Sequence, residues 1–268
     1  MSVMAAAVQF APTSDKSANL DEIDRLVRSA RAMGAELVVL PEYAVFTVDA
    51  MDDRFVESAE PLDGPSVGRL ADLSAELDVA IIAGINEVAD AGRIHNTLIG
   101  VQAGELQAVY RKVHLYDAFG YKESDKVLAS DPQAPQLLHV GAFTVGMQTC
   151  YDLRFPEVTR TLVDAGANVI AMPAEWVPGP LKEFHWTTLL RARAIENTVY
   201  LVAADQCAPT GAGNSMILDP MGNTLAGVGE SEGIAVATLD AERIEQVRGI
   251  NPALALRRYR VTARDERA

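Results

Sequence analysis

The chain has 268 residues, with 23 Lys and Arg against 37 Asp and Glu, so its formal net charge is −14. That balance excludes a nucleic-acid surface or a polybasic membrane patch, because phosphates need clustered cations; a small anionic substrate stays open, since a local field can oppose the net charge. Hydrophobic residues make up 49% of the chain, which is enough to bury a large core and excludes wholesale disorder.

The first element is a buried strand, Val3–Phe10, closed by Pro12. Its leading stretch, MSVMAAAVQFAP, has no basic n-region and breaks at Gln9 and Pro12, so it makes a poor signal peptide. Leu20, Ile23, Leu26, Val27 and Ala30 then recur at helical spacing up to Gly34. Glu36–Leu40 is a short strand ending at Pro41-Glu42, and Ser66–Leu77 is a helix. Val79–Ile85, Thr97–Val101 and Leu106–Tyr110 follow as strands with Gly92 and Gly104 at turns.

In the second half, Leu137–Val140 and Phe143–Thr149 pair as strands around Gly141-Ala142. Pro156–Ala165 is a helix stopped by Gly166, and Val169–Met172 is a strand ending at Pro173. Lys182–Glu196 is a long helix with Trp186, Leu189, Leu190 and Ala194 on one face. Val199–Ala204, Ser215–Leu218 and Ile234–Leu239 are strands, and Ala241–Arg248 is a last short helix. Crossovers and hairpins are mixed, which predicts a mixed sheet system rather than a pure βαβ alternation. There is no linker or repeat, so one domain is expected over 1–268, with a core of about 2–250 and a tail at 251–268. No run approaches the length of a membrane span, and the expected location is cytoplasmic with reduced thiols.

Three reactive side chains each follow an apolar strand: Glu42 after ELVVLP, Lys112 after LQAVYR and Cys150 after FTVGMQT. Open sheets gather binding groups at the carboxyl ends of their strands, so the three are expected to converge. Cys150 stands where the chain turns from strand to helix, with Pro156 suited to the helix's first turn. A thiol on that elbow is expected to be exposed and close to free backbone N–H groups, which favour thiolate and hold an oxyanion. No His follows a strand in the way Glu42 does, although His114 and His185 are candidates for the vicinity. A desolvated Glu42 is the alternative base. Cys207 lacks such a context and reads as structural. There is no P-loop, HExxH or CxxC, and the Gly211-Ala212-Gly213 run leads into a strand, so neither a dinucleotide, a P-loop nucleotide nor a metal is expected.

Together LVVLPEY (Leu37–Tyr43), YRKVHLYD (Tyr110–Asp117) and CYDLRFPE (Cys150–Glu157) resemble the nitrilase superfamily, the carbon–nitrogen hydrolases. HWTTLLRARAIENTVYLVAADQ (His185–Gln206) and GNSMILDPMGN (Gly213–Asn223) extend the resemblance over nearly the whole chain in the right order. It implies an α/β fold, a four-layer α-β-β-α sandwich, with no metal or organic cofactor and assembly as a homodimer or higher homo-oligomer. Glu42 is then the general base, Lys112 the electrostatic stabiliser, Cys150 the nucleophile, and Glu123 a second pocket glutamate. The implied reaction attacks an amide carbonyl with the Cys150 thiolate, holds the oxyanion on Lys112 and the Tyr151 N–H, and hydrolyses the thioester.

True nitrilases tend to carry Trp-Glu after the cysteine, whereas Tyr151-Asp152 follows here, which points to the amidase branches. CYDLRFPE and HWTTLLRARAIE look most like the Nit group, which includes ω-amidase (2-oxoglutaramate amidase), the leading expectation, and deaminated-glutathione amidase. An N-carbamoyl amino-acid hydrolase and a catalytically silent binding protein on the same fold are the alternatives. A 2-oxo acid substrate needs a local cation: Arg154 is nearest in sequence, followed by His185 and Lys182. Pro173-Ala174-Glu175-Trp176 departs from the Nit pattern, because Glu175 adds a carboxyl near the acyl site that such a substrate tolerates only if an Arg pairs with it.

Overall fold

Strands buried on both faces carry near-continuous apolar runs, and the two faces serve two different cores. The computed structural model describes residues 1–90, 92–132 and 134–263; the end of the expected tail, 264–268, lies outside them. In chain order the first half is β1 (Ser2–Gln9), α1 (Lys16–Ala32), β2 (Leu37–Val39), α2 (Asp53–Glu57), α3 (Pro65–Leu77), β3 (Ala80–Val88), β4 (Ile94–Gln102) and β5 (Glu105–Arg111). The second half is β6 (Leu137–Val140), β7 (Phe143–Met147), α4 (Pro156–Asp164), β8 (Val169–Ala174), α5 (Lys182–Asn197), β9 (Tyr200–Asp205), β10 (Met216–Leu218), β11 (Thr224–Gly227), β12 (Gly233–Asp240) and α6 (Ala241–Ile250).

The strands form two six-stranded sheets, ordered β12-β1-β2-β3-β4-β5 and β11-β10-β9-β8-β7-β6. Each has a parallel centre, β1-β2-β3 in one and β7-β8-β9 in the other, flanked by antiparallel strands. Alternation along each strand divides the side chains. Val3, Ala5 and Ala7 of β1 meet Val169 and Ala171 of β8 in the core between the sheets. Ala6 and Val8 turn the other way onto Ile23, Leu26 and Val27 of α1 and Leu70 of α3. Ile170 and Met172 face Leu162 of α4 and Trp186 and Leu190 of α5. The result is the four-layer α-β-β-α sandwich.

The structure departs from the sequence expectations in a few places. Pro173 lies inside β8, paired with Ala204, rather than ending the strand; its carbonyl accepts a hydrogen bond from the Thr149 hydroxyl at 2.9 Å. β7 stops at Met147: the Gln148 N–H makes one last bond to the Ala171 carbonyl of β8 (3.3 Å), and Thr149 leads into the elbow. Strand β11 was not expected: it is a mostly exposed edge strand with no apolar alternation to mark it. Helix α2, only five residues long, also carries too little periodicity to be read. Among the described residues no helix is long and apolar enough to cross a membrane.

Candidate active site

Glu42 leaves the carboxyl end of β2, where the Gly84 N–H donates to the Pro41 carbonyl (3.1 Å) and the Ala44 N–H to the Gly84 carbonyl (2.9 Å). This approach needs glycine: a Cβ on Gly84 would sit 2.6 Å from the Glu42 Cα and 2.5 Å from the Tyr43 N. Lys112 follows β5 and is held to β4 by its N–H, which donates to the Asn96 carbonyl at 2.9 Å. Cys150 opens a short 3-10 helix, Cys150–Arg154, with a left-handed φ of 46°, and Pro156 occupies the first turn of α4. A non-glycine residue at such a φ is uncommon and costs strain. The elbow is locked by Asp152, whose carboxylate accepts from the Thr149 N–H (3.2 Å), the Tyr110 hydroxyl (2.6 Å) and the His114 ring (2.8 Å).

The three side chains converge. The Lys112 ammonium lies 2.8 Å from Glu42 Oε1 and 2.9 Å from Glu123 Oε2, and all three side chains are at most 3% exposed. Burial works against a charged lysine, but Glu123 and Glu42 outweigh it and hold Lys112 well above its ordinary range. Glu123 is fully engaged: it accepts from Tyr43 OH (2.9 Å), Asn96 Nδ2 (3.0 Å) and the Tyr116 N–H (2.6 Å). Glu42 accepts from Asn96 Nδ2 at 2.6 Å and from the Glu175 N–H at 2.7 Å. Gln206 Nε2 donates to the Glu42 carbonyl at 2.8 Å. Every carboxylate oxygen is thus aimed by a donor, which suits a base that must face one atom.

Cys150 corrects the expectation of an exposed thiolate. It is buried, at 6% exposure. Burial first, then the charge of Glu42, push its thiol well above the ordinary range, with Lys112 pulling the other way. At rest Cys150 is therefore a thiol, and its Sγ points to the Glu175 carbonyl at 3.6 Å. The Glu42 carboxylate and the Lys112 ammonium are the charges that act most strongly on the sulfur, one opposing and one favouring its ionisation. The Tyr151 N–H stands in the first turn of the 3-10 helix, whose leading donors have no partner within the helix.

A second group lies beside the first. The Lys182 ammonium is buried, donates to Tyr116 OH at 3.1 Å, and sits 4.7 Å from the Trp176 ring centre and 5.1 Å from that of Phe119. The Arg154 guanidinium lies 5.0 Å from the Trp176 ring and 5.9 Å from that of Tyr151, and its Nη2 is 3.4 Å from the His185 Nδ1. The buried Arg154 Nε has no partner. Among the described residues neither cation pairs with a carboxylate. Glu175 is not their partner either: among the described residues its carboxyl meets Thr47 Oγ1 at 3.3 Å and pairs with no arginine. His114 is withdrawn from the reacting atoms, held by Asp152 and stacked on Phe155 at 3.7 Å.

Sequence reasoning missed Asn96, Tyr43 and Asp152 as supports. Asn96 is fully buried within the polar His95-Asn96-Thr97 run that opens β4, and three polar residues at the head of a strand were the available signal. Among the described residues no three or more His, Cys, Asp or Glu side chains gather as they would around a metal ion.

The model of the carbon-nitrogen hydrolase family matches residues 4–249. A deaminated glutathione amidase of Escherichia coli O157:H7 is 42% identical over 257 residues, covering 96% of this chain and 98% of the relative. A protein of the same name from Synechocystis is 37% identical over 94% of this chain and 96% of its own length. The crystal structure of Saccharomyces cerevisiae Nit3, from branch 10 of the nitrilase superfamily, superposes with a TM-score of 0.85 at 29% identity, covering 96% of this chain and 97% of that one. With the family model spanning nearly the whole chain and the elbow, lysine and glutamates in one buried cluster, the chain belongs to the carbon-nitrogen hydrolase family.

Proposed function

We propose that the protein is a cysteine amidase that cleaves the amide of a small 2-oxo acid, with deaminated glutathione as the favoured substrate. The observation that carries the chemistry is the buried Glu42–Lys112–Glu123 cluster against the Cys150 thiol. Glu42 takes the thiol proton as Sγ bonds to the amide carbon. Lys112 and the Tyr151 N–H receive the oxyanion. Glu42 returns the proton to the leaving nitrogen, the C–N bond breaks, and a thioester remains. Water deprotonated by Glu42 then releases the acid and restores the thiol. A single oxyanion donor is typically worth ~10²–10³ in rate.

The substrate class is supported by the two unpaired cations, Arg154 and Lys182, beside the thiol. A substrate carboxylate would supply the anion they lack, between aromatic faces that fit its carbon chain. The names of the relatives move deaminated glutathione ahead of 2-oxoglutaramate. Both present the same 2-oxo acyl half, so 2-oxoglutaramate remains the second reading and differs only in the leaving amine.

The test is product release from deaminated glutathione, 2-oxoglutaramate, N-carbamoyl amino acids and nitriles. Turnover of deaminated glutathione, abolished in Cys150→Ser and reduced ~10²–10³-fold in Lys112→Ala, is the expected result. Turnover of nitriles alone, or unchanged amidase activity in Cys150→Ser, overturns the reading.

A further inference from the structure

The site holds more acids than it has charge to balance. Lys112 already divides one positive charge between Glu42 and Glu123. Glu175 is built into the same cluster: its N–H donates to Glu42 Oε2 at 2.7 Å and its carbonyl receives the Cys150 Sγ at 3.6 Å. Its carboxyl meets Thr47 Oγ1, and no Lys, Arg or His among the described residues pairs with it. The charged and titratable groups that face it are Glu42 at the end of β2, Lys112 after β5, Glu123 and Tyr121 in the segment before β6, and Asp205 at the end of β9. Asp205 offers no relief, since its carboxyl is itself pushed well up by burial and accepts the Trp176 N–H at 2.7 Å. Among the described residues Lys112 is the one cation that bears on Glu175, since Lys182 answers to Cys150 and Asp205 instead, and reaction adds a thiolate and an oxyanion beside it.

We propose that Glu175 is a positioning residue that works in its acid form, acting through Cys150 and Glu42: the proton it holds leaves room for the negative charge that reaction creates on sulfur and oxygen. Ionised, it would place a further anion against Glu42 and disfavour the thiolate. Glu175 is half-buried, with its carboxyl against the buried Thr47; this desolvation, followed by the charge of Glu42, lifts the carboxyl to about 8, which favours the acid form at neutral pH. The departure in the Pro173-Ala174-Glu175-Trp176 stretch is then compatible with an anionic substrate without any arginine partner. Alkaline pH, rather than substrate charge, becomes the condition that Glu175 limits.

The consequence for turnover rests on the amidase reading, but the test does not require turnover. Iodoacetamide, which is uncharged, alkylates Cys150 at a rate that follows its thiolate; the modified peptide is followed by mass spectrometry from pH 6 to pH 9 in wild type, Glu175→Gln and Glu175→Ala. The quantity read is the ratio of variant to wild-type rate. Both variants are expected to react about as fast as wild type at pH 6 and at least about threefold faster at pH 9, a fraction of the tenfold that one pKa unit of coupling represents. A purely structural effect rescales the rate at every pH, so a ratio that stays flat from pH 6 to pH 9 overturns the proposal. Finding no amide substrate would instead overturn the amidase reading and leave this measurement standing.

Discussion

The Tyr110 hydroxyl donates to Asp152 Oδ2 at 2.6 Å, and this bond joins the strand that delivers Lys112 to the turn that delivers Cys150. Tyr110 belongs to one sheet and Asp152 to the elbow after the other, so the bond bridges the two halves of the sandwich at the level of the site. Asp152 is fully buried and is also bonded by the Thr149 N–H and the His114 ring, so both of its oxygens are tied down. Tyr110→Phe removes one donor from a buried carboxylate, at a cost of about 1–3 kcal/mol. The expected outcome is a lower melting temperature and a reduced kcat with KM nearly unchanged, because the elbow and not the substrate pocket is loosened. A KM effect without a kcat effect would reject the bridge as a positioning device.

Gly84 governs the other approach. Its missing Cβ makes room for the Glu42 and Tyr43 backbone, which cannot yield as a side chain can. Gly84→Ala is expected to displace Glu42 from Lys112, costing about 1–3 kcal/mol of stability through overpacking and lowering kcat sharply. Denaturant unfolding and steady-state kinetics check the two effects. A variant with wild-type kcat would show that Glu42 tolerates the shift.

The cations beside Trp176 set an expectation for substrate charge. Burial first, with Arg154 adding to it, draws Lys182 below its ordinary range, so it loses its charge at a lower pH than a surface lysine would. KM for a carboxylate-bearing amide should therefore rise on the alkaline side, while KM for an uncharged amide stays level. Lys182→Met should raise KM for the anionic amide by about 10–100-fold, the equivalent of one charged hydrogen bond of ~1.5–3 kcal/mol. Equal effects on charged and uncharged amides would remove Lys182 from carboxylate recognition.

Stability carries a separate mark of Glu175. Its carboxyl titrates at an ordinary 4.5 when unfolded and near 8 when folded, so between those values the folded chain keeps a proton that the unfolded chain has lost. That contribution is complete below about 4.5 and is lost as pH rises through about 8. Glu175→Gln removes it. The melting temperature of the variant relative to wild type should increase from pH 5 to pH 8. A constant offset across that range would show that the carboxyl does not titrate there.

Much of the architecture was legible before any coordinates. Strands β1, β2, β3, β7, β8 and β9 are largely buried on both faces, so their apolar runs announce them; Glu42 and Cys150 stand shortly after two of these, while Lys112 follows the half-exposed β5. β11 was silent because an exposed edge strand needs no apolar face. Asn96 was passed over because a polar residue at the head of a strand does not say which side chain it serves; the order β2-β3-β4-β5 sets it between Glu42, which follows β2, and Lys112, which follows β5.

By itself, then, the sequence determined a mixed α/β class and most of the segments that form strands and helices, because these depend on local periodicity, and through the family it resembles it pointed to the layered sandwich and to the three side chains from which the chemistry is read. The tertiary structure alone decided how those side chains are charged. Cys150 is a thiol because it is buried against Glu42, Lys112 stays charged because two carboxylates meet it, and Glu175 finds Thr47 rather than an arginine. The physical reason is that a titratable group answers to burial and to neighbours a few ångströms away, and those neighbours come from strands far apart in the chain.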